Sequence, residues 1–191
     1  MTHQEAFSLI DNEYLRNNPT PTRWADLGCG SGTFTLALAD LLAPGSSIEA
    51  IDLRPGIAAQ TTAGGVTIHP RTADFTTLTF ATPSGIPAAP IPDRFWPGHA
   101  PLEFDGILMA NALHYVPDQR EFLTNLKTNA LLLIEYDIDL PVARWVPYPL
   151  SFNKAVELLT STHWPQVQKL GTHPSAFGRS ELYAALALPA E

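Results

Sequence analysis

The chain has 191 residues, 45% hydrophobic and 16% charged, which suits one α/β domain with a sizeable core and excludes a disordered polymer. A net charge of −8 and 11 scattered basic residues argue against a nucleic-acid partner, because phosphate binding needs clustered Lys and Arg. The longest apolar runs, such as residues 130–134, fall far below the roughly 20 residues of a membrane span; no secretory pattern opens the chain and Cys29 is its only cysteine, so no membrane partner and a reduced, cytoplasmic setting are expected.

Residues 2–17 read as a helix, with Phe7, Ile10, Tyr14 and Leu15 near helical spacing, and Asn17-Asn18-Pro19-Thr20-Pro21 ends it. Residues 23–27 fit a short buried strand. A glycine loop follows, then a helix over 33–42 stopped by Pro44-Gly45. Residues 47–53 read as a second strand carrying Asp52, residues 55–62 as a short helix, and residues 66–69 as a third strand. The proline-rich stretch 81–101 breaks the alternation, and reads either as a functional loop or as a tolerated surface insertion. Strands at 105–110 and 130–136 flank a helix over 117–125, and a helix over 152–160 precedes strands at 167–171 and 182–188.

Strands alternating with helices predict an α/β fold: a doubly wound sheet of seven strands, mostly parallel with a terminal antiparallel strand, and helices on both faces. No repeat or linker divides the chain, so residues 1–191 read as a single domain.

The strongest chemical signal is Asp26-Leu27-Gly28-Cys29-Gly30-Ser31-Gly32, between a predicted strand and a predicted helix. Glycines at alternate positions let the backbone turn tightly and approach a ligand, and the helix start adds free N–H groups. A dinucleotide fingerprint would place its third glycine at Thr33, and a phosphate-binding P-loop would continue with Gly-Lys-Ser/Thr; neither is present. Asp26, two residues before the first glycine, has no role in pyrophosphate recognition but suits a ligand with an ammonium group, such as a methionyl moiety. Asp52 ends the second strand, where a carboxylate can accept from both hydroxyls of a ribose, or can simply cap a turn.

Asp-Leu-Gly-x-Gly-x-Gly resembles the first motif of the Rossmann-like (class I) S-adenosylmethionine-dependent methyltransferases, and Arg144-Trp145-Val146-Pro147-Tyr148-Pro149-Leu150-Ser151-Phe152 is similar to a phrase of their small bacterial members. The resemblance runs from about Trp24 to Leu188 and omits the first 20 residues and the proline-rich insertion. It implies S-adenosylmethionine as cofactor, with S-adenosylhomocysteine as product. It also implies Gly28, Gly30 and Gly32 against the cofactor, Asp52 on its ribose, and Leu53 beside the adenine. Asp74 then accepts from the adenine amino group while Phe75 stacks on the ring, although Asp74 reads equally as a turn residue. Asn111 and Leu113, after the fourth strand, line the pocket.

His114 and Tyr115 then face the methyl acceptor, and His114 is the candidate general base; packing or helix capping is the competing reading. Asn111-Ala112-Leu113-His114 lacks the Asn/Asp-Pro-Pro-Tyr/Phe pattern of enzymes that methylate base amino groups, so a small-molecule acceptor is expected. Arg144, Trp145 and Tyr148 lie in a proline-interrupted aromatic stretch that reads as an acceptor wall or as a plain hydrophobic cover. No metal site is expected. An NAD(P)-dependent oxidoreductase, disfavoured by Thr33 and by the lack of a Tyr-x-x-x-Lys pair, is the rival enzyme; a non-catalytic cofactor-binding protein is the rival of another class.

Overall fold

The computed structural model describes residues 1–81, 102–175 and 180–190, so most of the proline-rich 81–101 stretch and residues 178–179 of the tail lie outside the described residues. The chain opens with helices α1 (His3–Ile10) and α2 (Glu13–Arg16) in place of one continuous helix. Asn12 divides them because its side chain accepts from Leu15 N–H at 3.0 Å and starts a new helix. Strand β1 (Arg23–Leu27) leads through the glycine loop into α3 (Thr33–Ala39), and β2 (Ser47–Asp52) follows.

The expected helix over 55–62 does not form. Gly56 N–H donates to Gly30 O at 2.7 Å, tying this segment to the glycine loop, and Gln60–Thr61 forms a two-residue strand β3. Strand β4 (Thr67–Thr72) starts one residue later than expected and runs three residues further. It tolerates Pro70 because Thr67 N–H donates to Ser46 O beside β2; alternate residues, Pro70 among them, turn toward the outer edge, where β3 pairs only Thr67 and Ile68. Phe80–Ala81 (β5) and Leu102–Glu103 (β6) form a separate parallel pair.

The rest follows in order: β7 (Gly106–Ala110), α4 (Gln119–Asn125), β8 (Ala130–Tyr136), α5 (Phe152–Thr160), β9 (Gln166–Pro174) and β10 (Glu181–Leu188). The main sheet runs β3-β4-β2-β1-β7-β8-β10-β9. Neighbours from β4 to β8 are parallel, and β10 runs antiparallel to both β8 and β9. The seven expected strands are present, with β3 as an eighth at the edge.

Alternation along the strands splits the core between the two faces. Trp24, Leu108 and Leu132 pack with Leu9 and Ile10 of α1 and Leu38 of α3. Ile107, Leu131 and Leu133 pack on the other face with Leu123 of α4 and Leu159 of α5. Each such side chain, once fully buried, contributes about 1.5–3 kcal/mol. No helix among the described residues is long and apolar enough to cross a membrane. Strand order reverses between β1 and β7, and a crevice opens there at the carboxyl ends of the strands.

Candidate active site

The glycine loop is held by its neighbours and shaped by left-handed backbone. Gly28 and Cys29 N–H groups both donate to Ile51 O, at 2.8 and 3.1 Å, which fixes the loop to the end of β2. Gly28 has φ +83°, and a Cβ there would stand 2.7 Å from Ala112 Cβ. Gly32, at φ +81°, leaves Ile57 no room for a Cβ either. Gly30 differs: a Cβ would meet nothing within 4 Å, because this residue faces open space.

That space is a cavity of about 930 Å³. Of the residues expected at the cofactor, it brings together Asp26, Gly28, Gly30, Asp52, Leu53, Asp74, Phe75 and Asn111. Tyr115, expected at the acceptor, stands on the same wall. Gly32 lies behind the loop as the N-cap of α3. Leu113 is fully buried in the core and does not line the cavity; Ala112 takes its place. Asn111, between β7 and this turn, has a left-handed backbone with φ +54°.

Three carboxylates surround this space, and no Lys, Arg or His of the described residues lines it. Asp26 is buried at the end of β1; Thr35 Oγ1 donates to its Oδ2 at 2.5 Å, while Oδ1 is buried with no partner. Burial pushes the Asp26 carboxyl up to about 7, the Thr35 hydrogen bond opposing this and the nearby Asp52 charge adding to it. Asp52 Oδ2 accepts from Gly30 N–H at 3.0 Å and Oδ1 from Arg54 N–H at 2.8 Å, so it braces the loop from the end of β2. Asp74 Oδ1 accepts from Thr76 N–H and Oγ1, at 3.0 and 2.6 Å, and caps the turn that presents Phe75.

Phe75 packs edge-on against Phe122, with centroids 5.8 Å apart. Asn111 contributes a second buried oxygen without a partner, Oδ1. Burial, with the charges of Asp26 and Asp52, pushes the Cys29 thiol up to about 12, so the one cysteine on the wall stays protonated and is no nucleophile.

His114 is not on the cavity wall. Its ring is buried, with Nδ1 2.5 Å from Glu135 Oε2, and its backbone N–H donates to Glu135 Oε1 at 3.2 Å. The Tyr115 ring lies tilted beside it, 4.3 Å between centroids, and Tyr115 is on the cavity wall while His114 is not. Arg144, Trp145 and Tyr148 do not line the cavity, but Tyr148 N–H donates to His114 O at 3.1 Å, which joins their loop to its rim.

Sequence reasoning missed Thr35, Ala112 and Glu135, and also Met1, which lies on the cavity wall. Thr35 and Ala112 carry no local signal. Glu135, at the carboxyl end of a strand, could have been singled out by the same rule that found Asp52.

The fold and the cavity define a doubly wound domain with an acidic nucleotide-sized crevice at its topological switch point. A family profile described as "Methyltransferase domain" matches residues 2–188, and the chain belongs to that family. Comparison with curated protein sequences gives no match. Among solved structures, EvdMO1 superposes with a TM-score of 0.61 at 21% identity, over 98% of this chain and 40% of that one. The N-terminal domain of EvdMO1 with S-adenosylhomocysteine bound gives 0.58 at 17%, over 98% and 81%. The magnesium protoporphyrin IX methyltransferase ChlM from Synechocystis PCC 6803, with S-adenosylmethionine bound, gives 0.59 at 16%, over 96% and 78%. The chain thus spans less than half of full-length EvdMO1, and at these identities the likeness speaks to the fold.

Proposed function

We propose that the cavity binds S-adenosylmethionine and that residues 1–191 form one domain that transfers its methyl group to a small-molecule acceptor at the carboxyl edge of β7 and β8. The observation that carries this reading is the acidic wall with two orphaned buried oxygens, Asp26 Oδ1 and Asn111 Oδ1. Unpaired buried acceptors are costly, and a ligand that donates hydrogen bonds or carries positive charge removes the penalty. A dinucleotide is disfavoured on the same ground, since its pyrophosphate would meet three carboxylates and no Lys, Arg or His among the described residues. The relatives that bind S-adenosylmethionine or its product support the choice.

When bound, the cofactor supplies an electrophilic methyl on a sulfonium sulfur. Asp26 and Asn111 receive its amino end, Asp52 the ribose, and Leu53, Asp74 and Phe75 the adenine. Gly28 and Gly30 let the backbone pass close beside it. Tyr115 screens the transfer point from water and orients the acceptor, and the His114–Glu135 pair fixes Tyr115 from behind. In this reading His114 is a positioning residue and not the base: His114→Phe should keep affinity for S-adenosylhomocysteine and raise KM for the acceptor without a shift in the pH profile of kcat.

Calorimetric titration with S-adenosylhomocysteine, with NADH in parallel, tests the cofactor. Micromolar binding of the first and none of the second is expected. Binding of NADH alone would overturn the proposal in favour of an oxidoreductase.

A further inference from the structure

Resting on the cofactor reading above, we propose that the loop between β8 and α5, residues 138–150, is a fixed apolar strap and that the methyl acceptor it holds is a flat, ring-bearing, uncharged or anionic small molecule. The strap is anchored along its length. Asp139 Oδ1 accepts from Ser151 Oγ at 2.8 Å and pairs with Lys154 Nζ at 3.0 Å. Val142 and Val146 exchange two backbone hydrogen bonds, at 3.1 and 2.8 Å, and close a tight turn. Gln119 Nε2 donates to both Leu113 O and Tyr148 O, at 3.2 and 2.9 Å, and Tyr183 Oη donates to Leu150 O at 3.0 Å. Val146 and Leu150 are buried anchors.

A strap tied down this thoroughly and built only to cover the core would turn polar side chains outward. Instead Leu140 is 77% exposed and Trp145 59%, with Val142 and Tyr148 also exposed. Among the described residues there are eight exposed large hydrophobic side chains: three line the cofactor cavity, four stand on the strap, and Tyr14 alone lies elsewhere. The two groups meet at one point, where Tyr148 N–H donates to the carbonyl of His114, the residue before Tyr115. Arg144, held at φ +69°, is the strap's only basic side chain, and Asp139 is already paired with Lys154. The charge that the strap itself offers an acceptor is therefore positive or none. A stable protein interface needs roughly 20–30 residues on each side, far more than four side chains, so a small molecule fits the patch better than a partner protein. Aromatic faces beside apolar side chains suit a planar ring.

The probe is 2-naphthol, titrated by fluorescence against the whole protein with and without S-adenosylhomocysteine, alongside Trp145→Ala, Tyr148→Ala and Tyr14→Ala. Tyr14 is a control, since it sits near Asp105 at the opposite end of β7. One-site binding is expected, weakened about tenfold by either strap variant and unchanged by Tyr14→Ala. Binding of naphthol that survives both strap variants, or no binding, overturns the proposal. So does self-association or sedimentation with phosphatidylcholine–phosphatidylglycerol vesicles that Trp145→Ala abolishes, since the patch then serves a second copy or a lipid surface. Failure of S-adenosylhomocysteine to bind would sink the cofactor reading separately, and the naphthol titration without it would still decide the strap.

Discussion

The cavity and the strap are unsatisfied in opposite ways. In the cavity, Asp26 Oδ1 and Asn111 Oδ1 are buried without hydrogen bonds, inside an acidic wall. On the strap, backbone and carboxylate groups are tied to the body while Leu140 is 77% exposed and Trp145 59%. Each deficit describes a ligand by its complement: a donor with positive charge for the first, an apolar ring for the second. The regions also differ in rigidity of requirement. The cavity depends on backbone that only glycine adopts cheaply, whereas the strap depends on side chains that could be exchanged without disturbing the fold.

Four substitutions probe that contrast, in falling order of effect. Gly28→Ala forces a Cβ into Ala112 on left-handed backbone and should destabilise the protein by about 2–4 kcal/mol in urea unfolding. A loss below 1 kcal/mol would mean that the loop relaxes freely. Asp52→Ala removes the acceptor for Gly30 and Arg54 N–H as well as the proposed ribose contact, and should weaken S-adenosylhomocysteine binding by roughly 1–3 kcal/mol; unchanged affinity would sink the ribose assignment. Gly30→Ala has space for its methyl and meets only the left-handed backbone penalty, about 1 kcal/mol, so its main effect should appear in cofactor affinity. Trp145→Ala should leave stability within about 0.5 kcal/mol of the parent, because the side chain is mostly exposed; a large loss would make the strap a structural cover after all.

Much of the fold was legible in the sequence because its signals are local. Strands 23–27 and 130–136 and the helix over 152–160 fall at their expected limits. The helix over 55–62 failed because a long-range tie, Gly56 to Gly30, outweighed local pattern. In the site, the acids at strand ends could be read from position alone, and Asp26, Asp52 and Asp74 do meet in one cavity. The inward face after β7 could not be read, since the strand's alternation ends there: Asn111 is left-handed, Ala112 lines the cavity and Leu113 is buried. Nor could the burial of His114, which is set by a glutamate 21 residues away on the neighbouring strand.

Asp26 carries the central claim, that the cavity's unpaired acceptors await the cationic end of the cofactor. Its carboxyl, raised by burial from 3.8 to about 7, binds more protons in the folded chain than in the unfolded chain between those values. The unliganded protein therefore loses stability as pH rises toward 7, and the ionised form that an ammonium group needs appears over the same range. The most direct measurement is titration with S-adenosylhomocysteine from pH 5.5 to 7.5, for the parent and for Asp26→Asn. The account predicts affinity rising about tenfold per pH unit and levelling near 7, with proton release, and a flat, weaker profile for the variant. A flat profile in the parent, or equal affinity in the two proteins, would contradict it.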